Sequence, residues 1–266
     1  MTPAGPPAAS YPEGNFGAEL DLAAARAWPA REVAVLDGWW FRANDGLHRR
    51  VNSVFPETIG RRPLADHIAE AEAFYRERNL PPRFQITPAT EPADLDAILA
   101  ARGYVTESGV DIMITDAAPL AAAMPVAAPA IRLDAEISDA WLDVHMADAE
   151  DDAAKRRKGA MLGRIEPAHV FASLSEDGET LAAGLAIADE KWFGVFGMFT
   201  LERARRRGYA RILLSAMADW ALAIGCTRAY LQVERDNPAA IAVYGRAGFR
   251  TVHGYHYRTL WDNPNA

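Results

Sequence analysis

The stretch of this chain best suited to chemistry is TLERARRRGYA, residues 200–210, where Arg203, Arg205, Arg206 and Arg207 crowd around Glu202 and the run closes on Gly208. It lies between a strand-like aromatic segment, KWFGVFGMFT, and a segment with helical spacing. The first N–H groups of a helix lack intrahelical acceptors and carry the positive end of the helix dipole, so a loop entering a helix here is built to hold an anion. Gly208 lets a phosphate approach the backbone closely, and Ala210 keeps the next turn narrow. The spacing R-x-x-G-x-A, Arg205 to Ala210, is neither the dinucleotide fingerprint G-x-G-x-x-G nor the nucleoside triphosphate loop G-x-x-x-x-G-K-[ST]. A second constellation follows: Asn237, then Tyr244, then GRAGF.

Such groups need elements to position them, and the C-terminal half supplies these in order. HVFASL and TLAAGLAIA read as strands joined at SEDGE, with KWFGVFGMFT as a third. Gly194 and Gly197 inside that third strand point to a bulge or a close backbone approach. Leu213, Met217, Trp220 and Ile224 then keep the spacing of one buried helix face. RAYLQVE returns to a strand, and NPAAIAVYGRAGF reads as a short helix capped by Asn237 and closing at Gly248. RTVHGYHYRTLW reads as a final strand pair or ribbon.

The N-terminal half repeats this order. REVAVLD, WWFRA and RRVNSVF read as strands, followed by a helix carrying Leu64, Ile68, Ala71 and Tyr75, then RFQIT, the helix ADLDAILAARGY and the strand GVDIMIT. FQI aligns with LQV and ARGYVT with RAGFRT, so the chain reads as two copies of one α/β unit. The expected division is a loose tail over 1–15, a domain over 16–117, an Ala/Pro-rich linker over 118–130 and a second domain over 131–266.

FTLERARRRGYARILLSAMADWA followed by LQVERDNPAAIAVYGRAGF resembles the acetyl-coenzyme A signature of the GCN5-related N-acetyltransferase (GNAT) superfamily. Arg205, Gly208 and Ala210 match the family loop [QR]-x-x-G-x-[GA], while Glu202 stands before the loop where the family often has proline. The resemblance implies an α/β (α+β) fold of two GNAT-like domains, each a mixed, mostly antiparallel twisted sheet flanked by helices. The N-terminal copy is degenerate: PETIGRRPLAD stands where the loop would recur, and Leu99 where Tyr244 would.

The activity implied is acetyl-CoA-dependent N-acetyl transfer, by direct attack of an amine on the thioester, to a small molecule or a peptide. In that scheme the backbone N–H groups of Met198, Phe199 and Thr200 polarise the acetyl carbonyl. Arg205, Arg206, Arg207, Gly208, Tyr209 and Ala210 hold the pyrophosphate, and Asn237 lies near the pantetheine. Tyr244 protonates the departing thiolate. Glu234 and Glu190 are both candidates for the general base, and Trp39, Trp40, Arg42 and Asn52 for acceptor binding from the degenerate copy. The alternative from another class is an acyl-CoA-binding sensor or structural module without turnover.

Composition limits the remaining choices. A formal net charge of −8 over 266 residues argues against a surface that tracks nucleic acid, confines any anion site to a local patch and favours a cationic acceptor. Cys226 is the only cysteine, which excludes an intramolecular disulfide and cysteine-rich zinc sites; it reads as a small buried residue. The six histidines are scattered, so no metal is expected. The start has no basic n-region and no apolar run approaches the roughly 20 residues of a membrane span, so a cytoplasmic location without membrane contact is expected. The oligomeric state is left open. ADAEDDAAKRRKG, residues 147–159, reads as a solvated helical segment, although in the family this region borders the acceptor cleft.

Overall fold

The computed structural model describes residues 16–58, 60–107, 109–149 and 151–261; the expected tail over 1–15 lies outside them. The first half of the chain forms α1 (Phe16–Ala27), β1 (Glu32–Leu36), β2 (Trp39–Ala43), β3 (Val54–Pro56), α2 (Leu64–Arg76), β4 (Arg83–Ile86), α3 (Leu95–Ala101), β5 (Val105–Thr106) and β6 (Val110–Asp116). The second half forms α4 (Ala117–Ala121), β7 (Ala130–Asp134), α5 (Asp139–His145), α6 (Asp152–Leu162), β8 (His169–Glu176), β9 (Glu179–Asp189), β10 (Trp192–Thr200), α7 (Tyr209–Ala223), β11 (Arg228–Glu234), α8 (Pro238–Arg246) and β12 (Arg250–Thr259). The mixed sheet flanked by helices is the α/β architecture expected from the sequence.

The two halves exchange their last strands. β6 pairs antiparallel with β11 along its full length, from Val110↔Glu234 to Asp116↔Arg228. β12 pairs with β6 from Arg250 to Tyr255, then with β4 from His256 to Thr259. One sheet therefore runs through both halves, in the order β1-β2-β3-β4-β12-β6-β11-β10-β9-β8-β7, with β5 on β12. Within each half one strand pair is parallel, β3 with β4 and β10 with β11, and a helix (α2 or α7) lies between its members in the chain. The two copies therefore share their element order. Each also relies on the other for a neighbouring strand.

Three apolar clusters hold the layers. On one face of the second half, Phe171, Ala183, Leu185 and Ile187 pack under α1 and α5 with Leu20, Ala24, Trp141 and Leu142. Val170, Ala172, Ala182 and Ala186 alternate with them and pack on the opposite face under α7, as side chains on a pleated strand must. Buried on both faces, the middles of β8 and β9, residues 170–174 and 181–187, are apolar except for Ser173. The third cluster lies in the first half, where Trp39, Tyr75 and Phe84 meet Ile68 and Leu99.

Local departures from the sequence expectation have visible causes. RRVNSVF is not one strand: Arg49–Val51 form a 3-10 turn after His48, whose φ is +64°, and the strand starts at Val54. RTVHGYHYRTLW is a single strand with an irregularity between Thr251 and His253. α7 ends before Ile224, which is exposed. The 118–130 stretch holds most of α4, whose Ala117 and Leu120 are buried. α1 sits on the second half, with Trp192 Nε1 donating to Glu19 Oε1 at 2.7 Å and Arg26 paired to Asp189 at 2.9 Å.

Candidate active site

The site begins where two parallel strands part. β10 and β11 stay in register only from Trp192↔Arg228 to Val195↔Leu231. Beyond that, β10 runs on to Thr200 along β9, and β11 runs on to Glu234 along β6. A bulge between Phe196 and Phe199 turns β10 aside, with Gly197 at φ +58°, a conformation that L side chains rarely adopt. A Cβ at Gly197 would stand 3.3 Å from His145 Cε1 and 3.4 Å from Trp141 Cη2, so the glycine also permits the close packing of α5. The result is a slot edged by Phe196–Thr200 on one side and Gln232–Glu234 on the other.

One end of the slot leads to the arginine loop. Arg206 has φ +64° and Gly208 φ +84°, and the first rung of α7 is Ile212 N–H to Gly208 O at 3.1 Å. The N–H groups of Tyr209, Ala210 and Arg211 precede that rung and have no helical acceptor. No atom lies within 4 Å of the position a Gly208 Cβ would take, so the approach to these donors is open. Three arginines are already engaged: Arg203 with Glu179, Arg207 with Glu176 at 2.6 Å, and Arg205 Nε with Thr200 O at 3.2 Å. Arg206 is exposed and has no partner among the described residues.

The corresponding turn of the first half is filled from within. Asp37 Oδ2 accepts from Arg62 N–H at 2.8 Å, and that backbone bond, with a weaker one from Arg61, holds the carboxyl below its usual range. A Cβ at Gly60 would fall within 2.2 Å of the Asp37 carboxyl atoms. The protein's own carboxylate occupies the degenerate loop. The loop at Gly208 holds no such group.

The other side of the slot opens into a cavity of about 300 Å³. β10 and β11 contribute Gly197, Gln232 and Glu234, β6 and β12 contribute Val110, Tyr255 and Tyr257, and α5 and α6 contribute His145 and Lys158. The first half closes it with Trp28, His48, Arg49 and Arg50. Asn52 holds that closing loop: its Oδ1 accepts from Asn44 and Gly46 N–H, and its Nδ2 donates to Leu47 and His48 O. Arg49 pairs with Glu234 and, at 3.0 Å, with Glu107. His145 Nδ1 donates to Gly197 O at 3.1 Å, which leaves Nε2 as an acceptor. Burial, then the Lys158 charge, pushes the His145 imidazole down to about 4, so it is neutral at pH 7. Lys158 is 1% exposed and its Nζ lies 2.6 Å from His48 Nε2. Burial, then the Arg50 charge, pushes its ammonium down to about 7.

The family model described as "Probable histone acetyltransferase Rv0428c C-terminal" matches residues 18–258. The chain belongs to this family. It is 29% identical over 246 residues to "Uncharacterized N-acetyltransferase YobR" of Bacillus subtilis, covering 90% of this chain and 97% of that protein. It is 26% identical over 245 residues to "Probable histone acetyltransferase Rv0428c" of Mycobacterium tuberculosis, covering 90% and 72%. In fold it is similar to a GCN5-related N-acetyltransferase from Kribbella flavida, with TM-score 0.66 and 17% identity over 92% of this chain and 95% of that one. A tandem GNAT protein of the clavulanic acid biosynthesis pathway gives TM-score 0.60 and 16% identity, over 80% and 76%. The chain thus belongs to a family of acetyltransferase homologues and has the GNAT fold, and GNAT acetyltransferases use acetyl-CoA.

The residues singled out from sequence do not all meet at the site. Met198, Phe199, Thr200, Arg205, Arg206, Arg207, Gly208, Tyr209 and Ala210 form the bulged strand end and the helix entrance. Asn237 caps α8, its Oδ1 accepting from Ala240 N–H at 3.0 Å. Tyr244 lies part-buried on α8 against Phe249, in the cluster that Met198 also joins; burial pushes its phenol up to about 12.

Glu234 lines the cavity, whereas Glu190 sits exposed in the hairpin turn before β10, at the opposite end of that strand from Gly197. Trp39, Trp40, Arg42 and Asn52 do not line the cavity. Trp39 is in the first-half core, Trp40 meets Phe55 edge to face, and Arg42 is buried on Ser53 and Gln85. Asn52 reaches the site only through the loop it holds.

His48, Arg49, Arg50, His145 and Lys158 carried no local motif. The basic run containing Lys158 was the one visible signal, and its solvated reading gives way at Lys158 because the first half covers it. Among the described residues, no group of three or more His, Cys, Asp or Glu is placed to hold a metal, and no helix is long and apolar enough to cross a membrane.

Proposed function

We propose that this chain is an acetyl-CoA-dependent N-acetyltransferase that acetylates the amine of a small molecule or a peptide by direct attack on the thioester. The observation that carries this reading is the slot, with β10 and β11 parted after Val195 between an open, glycine-ended helix entrance and a polar cavity. Acetyl-CoA supplies the activated acetyl thioester.

The N–H groups of Gly208, Tyr209 and Ala210 hold the pyrophosphate, with Arg206 adding charge. Arg205 and Arg207, tied to Thr200 and Glu176, set the shape of the loop. Slot-side N–H groups of Met198, Phe199 and Thr200 polarise the acetyl carbonyl as an oxyanion site does. Asn237 fixes the start of α8 beside the pantetheine path. Glu234, at the cavity, takes the amine proton directly or through water. Tyr244, a phenol throughout the neutral range, steadies the departing sulfur as a hydrogen-bond donor; with its pKa raised to about 12, donating the bond is easier than giving up the proton.

Thiol release from acetyl-CoA across a broad amine panel tests the proposal. Amine-dependent release supports it. Tight binding with no turnover on any amine would favour the non-catalytic sensor.

A further inference from the structure

The charges around the cavity do not balance. Arg49 and, behind it, Arg83 share two carboxylates, since Glu107 pairs with both and Glu234 with Arg49. Arg50 and Lys158 have no carboxylate partner among the described residues. Both lie over the Trp28 indole, the Lys158 Nζ at 4.2 Å and the Arg50 guanidinium at 5.5 Å from its centroid, and Arg50 also lies 5.6 Å from the Phe196 ring. Aromatic faces compensate a cation only in part. Lys158 is buried and Arg50 half-buried, and a charge withdrawn from water without a counter-ion is costly.

The unsatisfied polar atoms agree. Three cavity-lining residues carry buried atoms without a hydrogen-bond partner, Trp28 Nε1, Arg50 Nε and Gln232 Nε2, and all three are N–H donors. The other end of the Gln232 amide is engaged, its Oε1 accepting from the Tyr255 hydroxyl at 3.3 Å. A ligand that completes this site brings acceptor atoms and negative charge.

We infer that the acceptor amine carries a carboxylate of its own, placing it in the amino-acid class, and that this carboxylate seats on Arg50 and Lys158. The inference rests on the acetyltransferase reading for the reaction, and on the unpaired donors for the ligand. It reverses the preference for a cationic acceptor drawn from net charge, because the field in a cavity is set chiefly by the groups lining it. A basic peptide would bring further positive charge to Arg50 and to Lys158, whose ammonium is already pushed down to about 7.

The test is acetyl transfer and thermal shift with the twenty free amino acids, each paired with its amide, plus phosphoethanolamine against ethanolamine and one lysine-rich peptide. At least one free amino acid should have a KM roughly 10- to 100-fold below that of its amide, the range that one or two charge-assisted hydrogen bonds give. Arg50→Met and Lys158→Met should abolish that preference while the KM for acetyl-CoA stays within about twofold, which also reports a folded slot; Arg50→Lys should retain part of it.

Equal KM values for acids and amides would overturn the seat and leave acetyl transfer standing, as would a preference for the basic peptide. A preference confined to phosphoethanolamine would overturn the carboxylate assignment. A thermal shift with free amino acids and not with their amides, lost in both Met variants but without turnover of any amine, would support the seat and count against the transferase reading. No shift and no turnover with any carboxylate would overturn it.

Discussion

Replacing Gly197 by alanine probes the feature on which the site depends. At φ +58° an L residue is disfavoured by about 1–2 kcal/mol. The new methyl would also stand 3.3 Å from His145 Cε1 and 3.4 Å from Trp141 Cη2, so buried rings must give way, which typically adds about 1–3 kcal/mol. Gly208→Ala is the matched control: its φ is +84°, but nothing lies within 4 Å of the added carbon, so only the backbone term applies. At roughly 2–4 °C per kcal/mol for a chain of this size, Gly208→Ala should lower Tm by about 2–8 °C and Gly197→Ala by about 4–20 °C, with Gly197→Ala the lower of the two.

The functional consequences should separate as well. Flattening the bulge displaces the N–H groups of Met198–Thr200, and a misplacement near 1 Å can cost roughly 100-fold in rate. Gly197→Ala should therefore lose kcat, whereas Gly208→Ala should mainly raise the KM for acetyl-CoA. Differential scanning calorimetry with steady-state thiol release checks both. If Gly197→Ala melts no lower than Gly208→Ala and keeps its turnover, the bulge is not what shapes the slot.

Glu234→Gln should lower kcat by roughly 10²-fold or more, as loss of a general base does, with acetyl-CoA affinity unchanged in a binding titration. If His145→Gln loses rate and Glu234→Gln does not, the imidazole is the base. Tyr244→Phe should lower kcat more than it changes cofactor affinity under conditions where chemistry limits turnover, and an unchanged rate would remove it from the mechanism. Lys158 is held at about 7 in the fold against 10.5 for the ordinary side chain. Below pH 7 both folded and unfolded chains carry the proton, so its burial is fully destabilising. Between about 7 and 10.5 only the unfolded chain keeps that proton, so stability rises with pH. Lys158→Met should therefore gain more stability over wild type at pH 6 than at pH 9 in denaturant titrations, and a gap independent of pH would refute this.

What could be read from the sequence was what is local in the chain. R-x-x-G-x-A next to helical spacing gave the anion loop, because the loop and its helix are contiguous; the glycine inside KWFGVFGMFT gave the bulge for the same reason. The strand exchange was out of reach, since GVDIMIT carries the same apolar pattern whichever half supplies its neighbours. The cavity was out of reach too. Arg49 and Arg50 meet Lys158 and Glu234 across more than a hundred residues, and nothing in DAAKRRKG distinguishes the buried lysine from the exposed Arg156 and Arg157. Aromatic residues in paired strands drew attention to Trp39 and Trp40, but that pattern marks core packing as readily as a binding wall.

In the proposed reaction acetyl-CoA lies in the β10–β11 slot with its pyrophosphate on the helix entrance at Gly208. Isothermal titration of acetyl-CoA into wild type and Gly208→Glu tests it most directly, since the new carboxylate enters the open space before the α7 donors and repels phosphate. Wild type should show one binding site, and a variant that is still folded should bind at least tenfold more weakly. An unchanged dissociation constant in that variant would contradict it.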